Sequence, residues 1–177
     1  MNQPAPRNRT ITLTDDERAR YRERLIPAGE PAPDPAPGHI ILGEMERAVP
    51  ALPEKCADLL FLDPPYNLSR KFGERSFART GASEYGALFE RWLTLLLPLL
   101  RDTASVYVCA DWYSSCSVFG VLSKYFKVRS RITWEREKGR GAKANWKNAC
   151  EDVWFCTVSG RYTFNLDAVK VHRRVVA

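Results

Sequence analysis

Apolar residues along this chain gather in short runs, and the spacing within the runs changes from one to the next. Ile40-Ile41-Leu42 is a brief apolar run ended by Gly43, and residues 44–49 read as a short helix stopped by Pro50 and Pro53. Residues 57–62 are almost continuously apolar after Asp58, the pattern of a strand covered on both faces. Between 83 and 100 the positions Tyr85, Leu88, Phe89, Trp92, Leu96 and Leu99 recur at helical spacing, with Ser83 placed to cap. Residues 105–109 form a β-branched run, and 113–125 read as a helix. Val128, Ser130, Ile132 and Trp134 alternate as in a half-buried strand. Residues 153–158 predict another strand, followed by a Ser159-Gly160 turn and a returning strand over 162–164. This alternation of strand, helix and strand predicts an α/β sheet, whose site lies beyond the carboxyl ends of the strands. Asp63 to Tyr66 occupies such a place, and Asp111-Trp112 occupies the matching place one strand later.

The remaining segments predict linkers and loops. Residues 1–10 are polar and proline-containing, with no signal-peptide pattern, and are expected to be disordered. Thr14-Asp15-Asp16-Glu17 is a capping box opening a charged helix over about 15–25. Five prolines between 27 and 38 predict a stiff extended linker. Two parts follow: residues 1–38 as capped helix plus linker, and 39–177 as the main domain. Residues 68–82 and 135–149 read as loops, the second one basic.

Composition adds limits. At 177 residues, 45% hydrophobic and 27% charged, the chain has enough material for one domain with a core. The longest apolar run, 93–100, is too short for a membrane span and contains Thr94 and Pro98. Five cysteines without a C-x-x-C pair, and only His39 and His172, predict free thiols in a reducing cytoplasm and no metal site. Charge is uneven. Residues 1–123 carry 14 Lys/Arg against 16 Asp/Glu, and 124–177 carry 13 against 5. Nine of those basic residues lie within 124–148, flanked by Trp134 and Trp146. Cations that track phosphates, with aromatics beside them, suit a polyanionic partner such as nucleic acid. The competing reading is a solvated loop with Trp134 in the core.

Asp63-Pro64-Pro65-Tyr66 carries the chemistry. The two prolines fix φ, push their predecessors toward extended geometry and have no N–H. A rigid corner results, presenting a carboxylate, the Pro64 carbonyl and an aromatic ring. An exocyclic amine on a nucleobase is a poor nucleophile because its lone pair is delocalised. Accepting hydrogen bonds from both its protons, at the Asp63 carboxylate and the Pro64 carbonyl, favours a tetrahedral nitrogen able to attack a sulfonium methyl in line. Tyr66 would stack on the base flipped from the duplex.

The segment from Ala57 to Asn67 resembles the catalytic motif of the N6-adenine/N4-cytosine DNA amino-methyltransferases, and its place near the N-terminus resembles their β class. Leu42-Gly43-Glu44 is similar to the family's strand ending in Gly-Asp, with Glu in place of Asp. Ser105 to Cys109 with Asp111-Trp112 looks like the next motif strand. Ile132-Thr133-Trp134, Asn145-Trp146-Lys147-Asn148 and Glu151-Asp152-Val153-Trp154-Phe155 resemble the block before the target-recognition region. The resemblance implies a Rossmann-like class I methyltransferase sheet, S-adenosyl-L-methionine as cofactor and DNA as substrate. It implies Asp63, Pro64, Pro65 and Tyr66 as catalytic residues, and Asp63 and Glu44 on the cofactor side. Asn67, Lys138, Arg140, Lys143, Trp146 and Lys147 are expected at the DNA. Asp at the first motif position favours adenine N6. The alternatives are cytosine N4, a guanine in structured RNA, or a DNA-binding remnant without catalysis.

A strand ending in Phe-x-Gly-x-Gly, the family's cofactor motif, is not found. Lys71-Phe72-Gly73-Glu74-Arg75 lacks the second glycine, and Gly139-Arg140-Gly141-Ala142-Lys143 lacks the preceding apolar strand. The sheet is therefore expected to be partial, with residues 59–62 as an open apolar edge. Ile40-Ile41-Leu42 is expected to lose its usual place. The expectation is a truncated or split enzyme, with a second chain supplying the cofactor half. On this reading the 177-residue chain alone binds S-adenosylmethionine weakly or not at all. Titration calorimetry should show no binding at micromolar concentration.

Overall fold

Thr14 caps the first helix of the first of two units, Met1–Leu52, in a computed structural model that describes residues 12–31, 38–72, 75–142 and 145–170. The predicted disorder of residues 1–10, most of the proline linker, Lys143 and the carboxyl-terminal residues from 171 onward lie outside the described residues. The Thr14 hydroxyl accepts the Glu17 amide (3.2 Å) and the Glu17 carboxylate accepts the Thr14 amide (2.9 Å), so the capping box forms and opens α1, Asp15–Arg22. Beyond it, β1 (Leu25–Pro27) and β2 (Ile40–Leu42) pair in parallel. The strand at Leu25 was not expected. Pro27 is tolerated because it is the last residue of a strand in a two-stranded pair. At Gly43 φ is +148°, and a Cβ would overlap that of Ala28, so glycine is required there. The short helix α2, Met45–Ala48, follows as predicted.

The second unit, Pro53–Ala177, holds a mixed four-stranded sheet. In chain order it comprises β3 (Ala57–Leu62), a small hairpin of β4 (Arg70–Phe72) and β5 (Arg75–Phe77), and α3 (Ala82–Leu96). Then come β6 (Leu100–Ala110), α4 (Ser115–Tyr125), β7 (Lys127–Ala142), β8 (Asn145–Thr157) and the single turn α5 (Leu166–Val169). The strand order is β3-β6-β8-β7, with β3 parallel to β6 and the other two pairings antiparallel. Helices α3 and α4 pack on one face. Phe89, Leu93, Val106, Val108, Val118 and Leu122 are fully buried in one cluster there. The alternate residues of β6 point the other way. Tyr107 stacks between Phe61 (6.5 Å) and Phe155 (4.8 Å) on the opposite face.

Several expectations are corrected by this arrangement. Strand β3 is not covered on both faces: Leu59 and Phe61 are each 59% exposed, while Leu60 and Leu62 pack against the core. It is also an end strand, so the predicted open apolar edge is present among the described residues. Ser83 does not cap α3. Gly81 is the N-cap, its carbonyl accepting the Tyr85 amide (2.9 Å), and Ser83 sits inside the first turn. The helix gives way at Leu97 to a 3-10 turn because Pro98 cannot continue it. Residues 68–82 contain the β4–β5 hairpin. The basic segment 135–149 is not a loop. Strands β7 and β8 pair as far as Ala142 and Asn145, whereas β6 accompanies β8 only over Asp152 to Thr157, leaving a two-stranded ribbon beyond the sheet. Residues 162–164 form no strand, and Tyr162 and Phe164 instead lie against Phe155.

Candidate active site

The parallel pairing of β3 with β6 places Leu62 beside Val108, so the two chains leave the sheet together at Asp63 and Asp111. Antiparallel β8 enters at the same end, with Asp152 beside Ala110. Three strands thus bring Asp63, Tyr66, Cys109, Asp111, Glu151 and Asp152 to one end of the sheet.

Side chains from elsewhere hold the Asp63–Asn67 corner. The Tyr85 hydroxyl, on the buried side of α3, donates to the Pro65 carbonyl (3.0 Å). The Tyr66 hydroxyl donates to Glu151 Oε2 (3.1 Å). The Asn67 carboxamide accepts the Thr80 amide and donates to the Thr80 carbonyl, both at 2.8 Å. Asn67 was expected at the DNA. It is buried, and its hydrogen-bonding capacity is committed to Thr80, which ties the corner to the start of α3.

The carboxylates at this end differ in how they are engaged. Asp111 is buried and accepts the Ser114 amide (2.8 Å) and hydroxyl. Asp152 accepts the Ser115 hydroxyl (2.6 Å), which in turn accepts Trp154 Nε1 (3.0 Å). Glu151 pairs with Tyr66 and, through Oε1, with Arg136 Nη1 (2.7 Å). Asp63 is exposed, and no hydrogen bond among the described residues engages its carboxylate or the Pro64 carbonyl. Consecutive residues of the corner, the exposed Asp63 and the buried Pro64, thus leave two acceptors, one of them anionic.

Electrostatics follow from this crowding. Burial, reinforced by the charges of Asp63 and Glu151, pushes the Tyr66 phenol far above its ordinary value. Burial and the nearby Asp111 push Tyr85 up to about 12. Burial, with Asp63 and Glu151, pushes the Cys109 thiol up to about 11, so it stays protonated and is no thiolate nucleophile. Among the described residues no cluster has the make-up of a metal site, and all five cysteines are free.

The other predicted residues are spread more widely. Glu44 is exposed just ahead of α2 in the first unit, whereas Asp63 belongs to the second. Lys138 and Arg140 lie on the outer part of β7, and Trp146 and Lys147 on the outer part of β8. Trp146 is 94% exposed and Trp134 60%, which removes the reading of Trp134 as a core residue. The Glu151–Arg136 pair was missed. Its sequence signal is an acidic pair, Glu151-Asp152, immediately before a run of strand-forming apolar residues.

Comparison with known proteins gives the family. Residues 57–176 match the family model described as DNA methylase, of N6/N4 type. The chain is 31% identical over 119 residues to the type II methyltransferase M1.MboII of Moraxella bovis, covering 66% of this chain and 45% of that protein. It is 27% identical over 143 residues to the DNA adenine methyltransferase YhdJ of Escherichia coli K12, covering 76% and 46%. The structure resembles the PvuII DNA methyltransferase, described as cytosine-N4-specific, with TM-score 0.59 and 17% identity over 74% of this chain and 52% of that one. That likeness shows the fold, a class I methyltransferase sheet present here in part. The chain spans less than half the length of the curated relatives it matches. With the family model extending from β3 to the carboxyl-terminal residues, the chain belongs to the N6/N4 DNA methylase family.

Proposed function

We propose that this chain supplies the catalytic corner and a DNA-contacting ribbon for methylation of adenine N6 in double-stranded DNA, with S-adenosyl-L-methionine as methyl donor. The observation that carries the reading is the pair of acceptors left unengaged among the described residues, Asp63 carboxylate and Pro64 carbonyl, on a corner clamped by Tyr85, Glu151 and Thr80. Asp63 and Pro64 accept hydrogen bonds from the two amino N–H groups and orient the nitrogen lone pair. Tyr66 stacks on the flipped base. Because the corner is fixed before the base arrives, little reorganisation is needed at the moment of reaction. Asp63 also fits the cofactor: an exposed carboxylate beside an aromatic ring suits a sulfonium cation. When bound, S-adenosylmethionine supplies an electrophilic methyl group. The outer side of β3, with Leu59 and Phe61 exposed, is where a further strand carrying the cofactor site would pair, from the same chain or a second one.

The ribbon supports the DNA reading. Strands β7 and β8 extend beyond the sheet at the end that carries Asp63, with Trp134 and Trp146 exposed and Lys138, Arg140 and Lys147 along them. Reversing charge at Arg140 and Lys143 (to Glu) should flatten the dependence of DNA affinity on salt. The log–log slope falls by about 0.9 for every phosphate that the protein no longer neutralises. An unchanged slope in fluorescence-anisotropy titrations would take the ribbon out of the interface.

The test of the whole reading is co-expression with a chain that carries the family's Phe-x-Gly-x-Gly strand, in a bacterial host lacking DNA methylation, with mass spectrometry of the digested genomic DNA. N6-methyladenine is expected. N4-methylcytosine in its place would transfer the assignment to cytosine. Neither product would leave a DNA-binding protein without catalysis.

A further inference from the structure

The geometry points to Glu151 as a positioning residue for Tyr66, itself held in place by Arg136. This rests on the role proposed above for Tyr66.

Tyr66 and Glu151 are 85 residues apart in sequence, and their meeting depends on the register of the sheet. Glu151 lies opposite Trp134 across the β7–β8 ladder. Arg136, two residues beyond Trp134, returns to the same face. Both carboxylate oxygens of Glu151 are therefore used. Oε2 accepts the Tyr66 hydroxyl at 3.1 Å, and Oε1 faces Arg136 Nη1 at 2.7 Å. The Glu151 and Arg136 side chains are mostly shielded from solvent, so the contact is a charge-assisted one in a low-dielectric setting.

Arg136 keeps this contact although its Nε is buried without an acceptor among the described residues. Its position is thus set by Glu151 rather than by full satisfaction of its own donors. The Tyr66 ring, in turn, cannot swing without giving up its phenol hydrogen bond. A residue whose face is meant to receive a base gains a fixed plane by this means. Glu151 and Arg136 belong to the two strands that continue into the basic ribbon, so the ribbon and the ring plane share one anchoring point.

The groups facing the Tyr66 phenol are Asp63, Glu151 and Cys109, and the first two are acidic. The signs of two substitutions then differ, which allows a test on the 177-residue chain without DNA. A ring-fluorinated tyrosine, whose phenol is more acidic, is placed at position 66 and its phenolate absorbance is followed against pH. Glu151→Gln should lower the titration midpoint by about one pH unit or more, because a nearby negative charge and a hydrogen-bond acceptor for the neutral phenol are weakened. Arg136→Met should raise it, because Glu151 loses its compensating cation. A merely structural role for the pair would loosen the site and lower both midpoints toward the ordinary phenol value. That result, or an unmoved midpoint in Glu151→Gln, overturns the proposal. Where Arg136→Met does not fold, Arg136→Gln, which keeps a polar contact to Glu151 without the charge, should raise the midpoint in its place, and a lowered midpoint there overturns the proposal equally. Absence of methylated bases in genomic DNA would defeat the catalytic reading and leave this titration unaffected.

Discussion

Replacing Asp63 with alanine, in the chain paired with its cofactor-binding half, is expected to lower methylation of genomic DNA by at least about 100-fold, the scale on which one preorganised polar contact to a reacting centre acts. The expectation follows from the inequality among the carboxylates at the end of the sheet. Asp111 holds the start of α4, Asp152 holds Ser115, and Glu151 holds Tyr66. Substituting any of these disturbs structure and chemistry together. Asp63 is exposed and without a protein partner among the described residues, so its removal should leave stability within about 0.5 kcal/mol of the parent. The signature is a loss of product without a loss of fold. Asp63→Asn keeps one neutral acceptor oxygen and should retain more product than Asp63→Ala. Mass spectrometry of genomic DNA and urea denaturation, run on the same variants, separate the two quantities. Product within about tenfold of the parent for Asp63→Ala would remove the carboxylate from the chemistry.

Why Asp63 was legible in the sequence, and Glu151 was not, is a matter of the range of the interactions. The strand over 57–62 declares itself by an unbroken apolar run, and Pro64-Pro65 must end it, so the corner is placed by local rules alone. The capping box at Thr14 and Glu17 is local in the same way. The ribbon failed to show because Gly139, Gly141 and a high density of charge conceal the alternation of a strand. Its pairing is also irregular, with a register shift between Glu135 and Arg140. Asn67 looked like a surface residue because nothing nearby reveals that Thr80 will need its amide. The clamps on the corner come from residues 13 to 85 positions away, and register, which the sequence encodes only through the whole sheet, decides them.

Phe89→Ala is expected to cost about 3–5 kcal/mol, a large part of the roughly 5–15 kcal/mol that holds a domain of this size folded. Phe89 has no exposed surface and lies in the cluster that joins α3, β6 and α4. The cavity left behind cannot close easily, because Leu93, Val106 and Leu122 of the same cluster are themselves fully buried. The effect should reach the catalytic corner. Tyr85 is one turn before Phe89 on the same side of α3, and its hydroxyl fixes the Pro65 carbonyl. A helix seated less firmly loosens that bond before it unfolds the protein. Tyr85→Phe is the control, since it keeps the ring and removes only the hydrogen bond, costing about 0.5–1.5 kcal/mol. If α3 positions the corner, Tyr85→Phe should lose more methylated product than its small change in urea midpoint explains, and Phe89→Ala should lose both. A change in unfolding free energy below about 1 kcal/mol for Phe89→Ala would mean that α3 does not rest on this core, and the anchoring of Pro65 would then need another source.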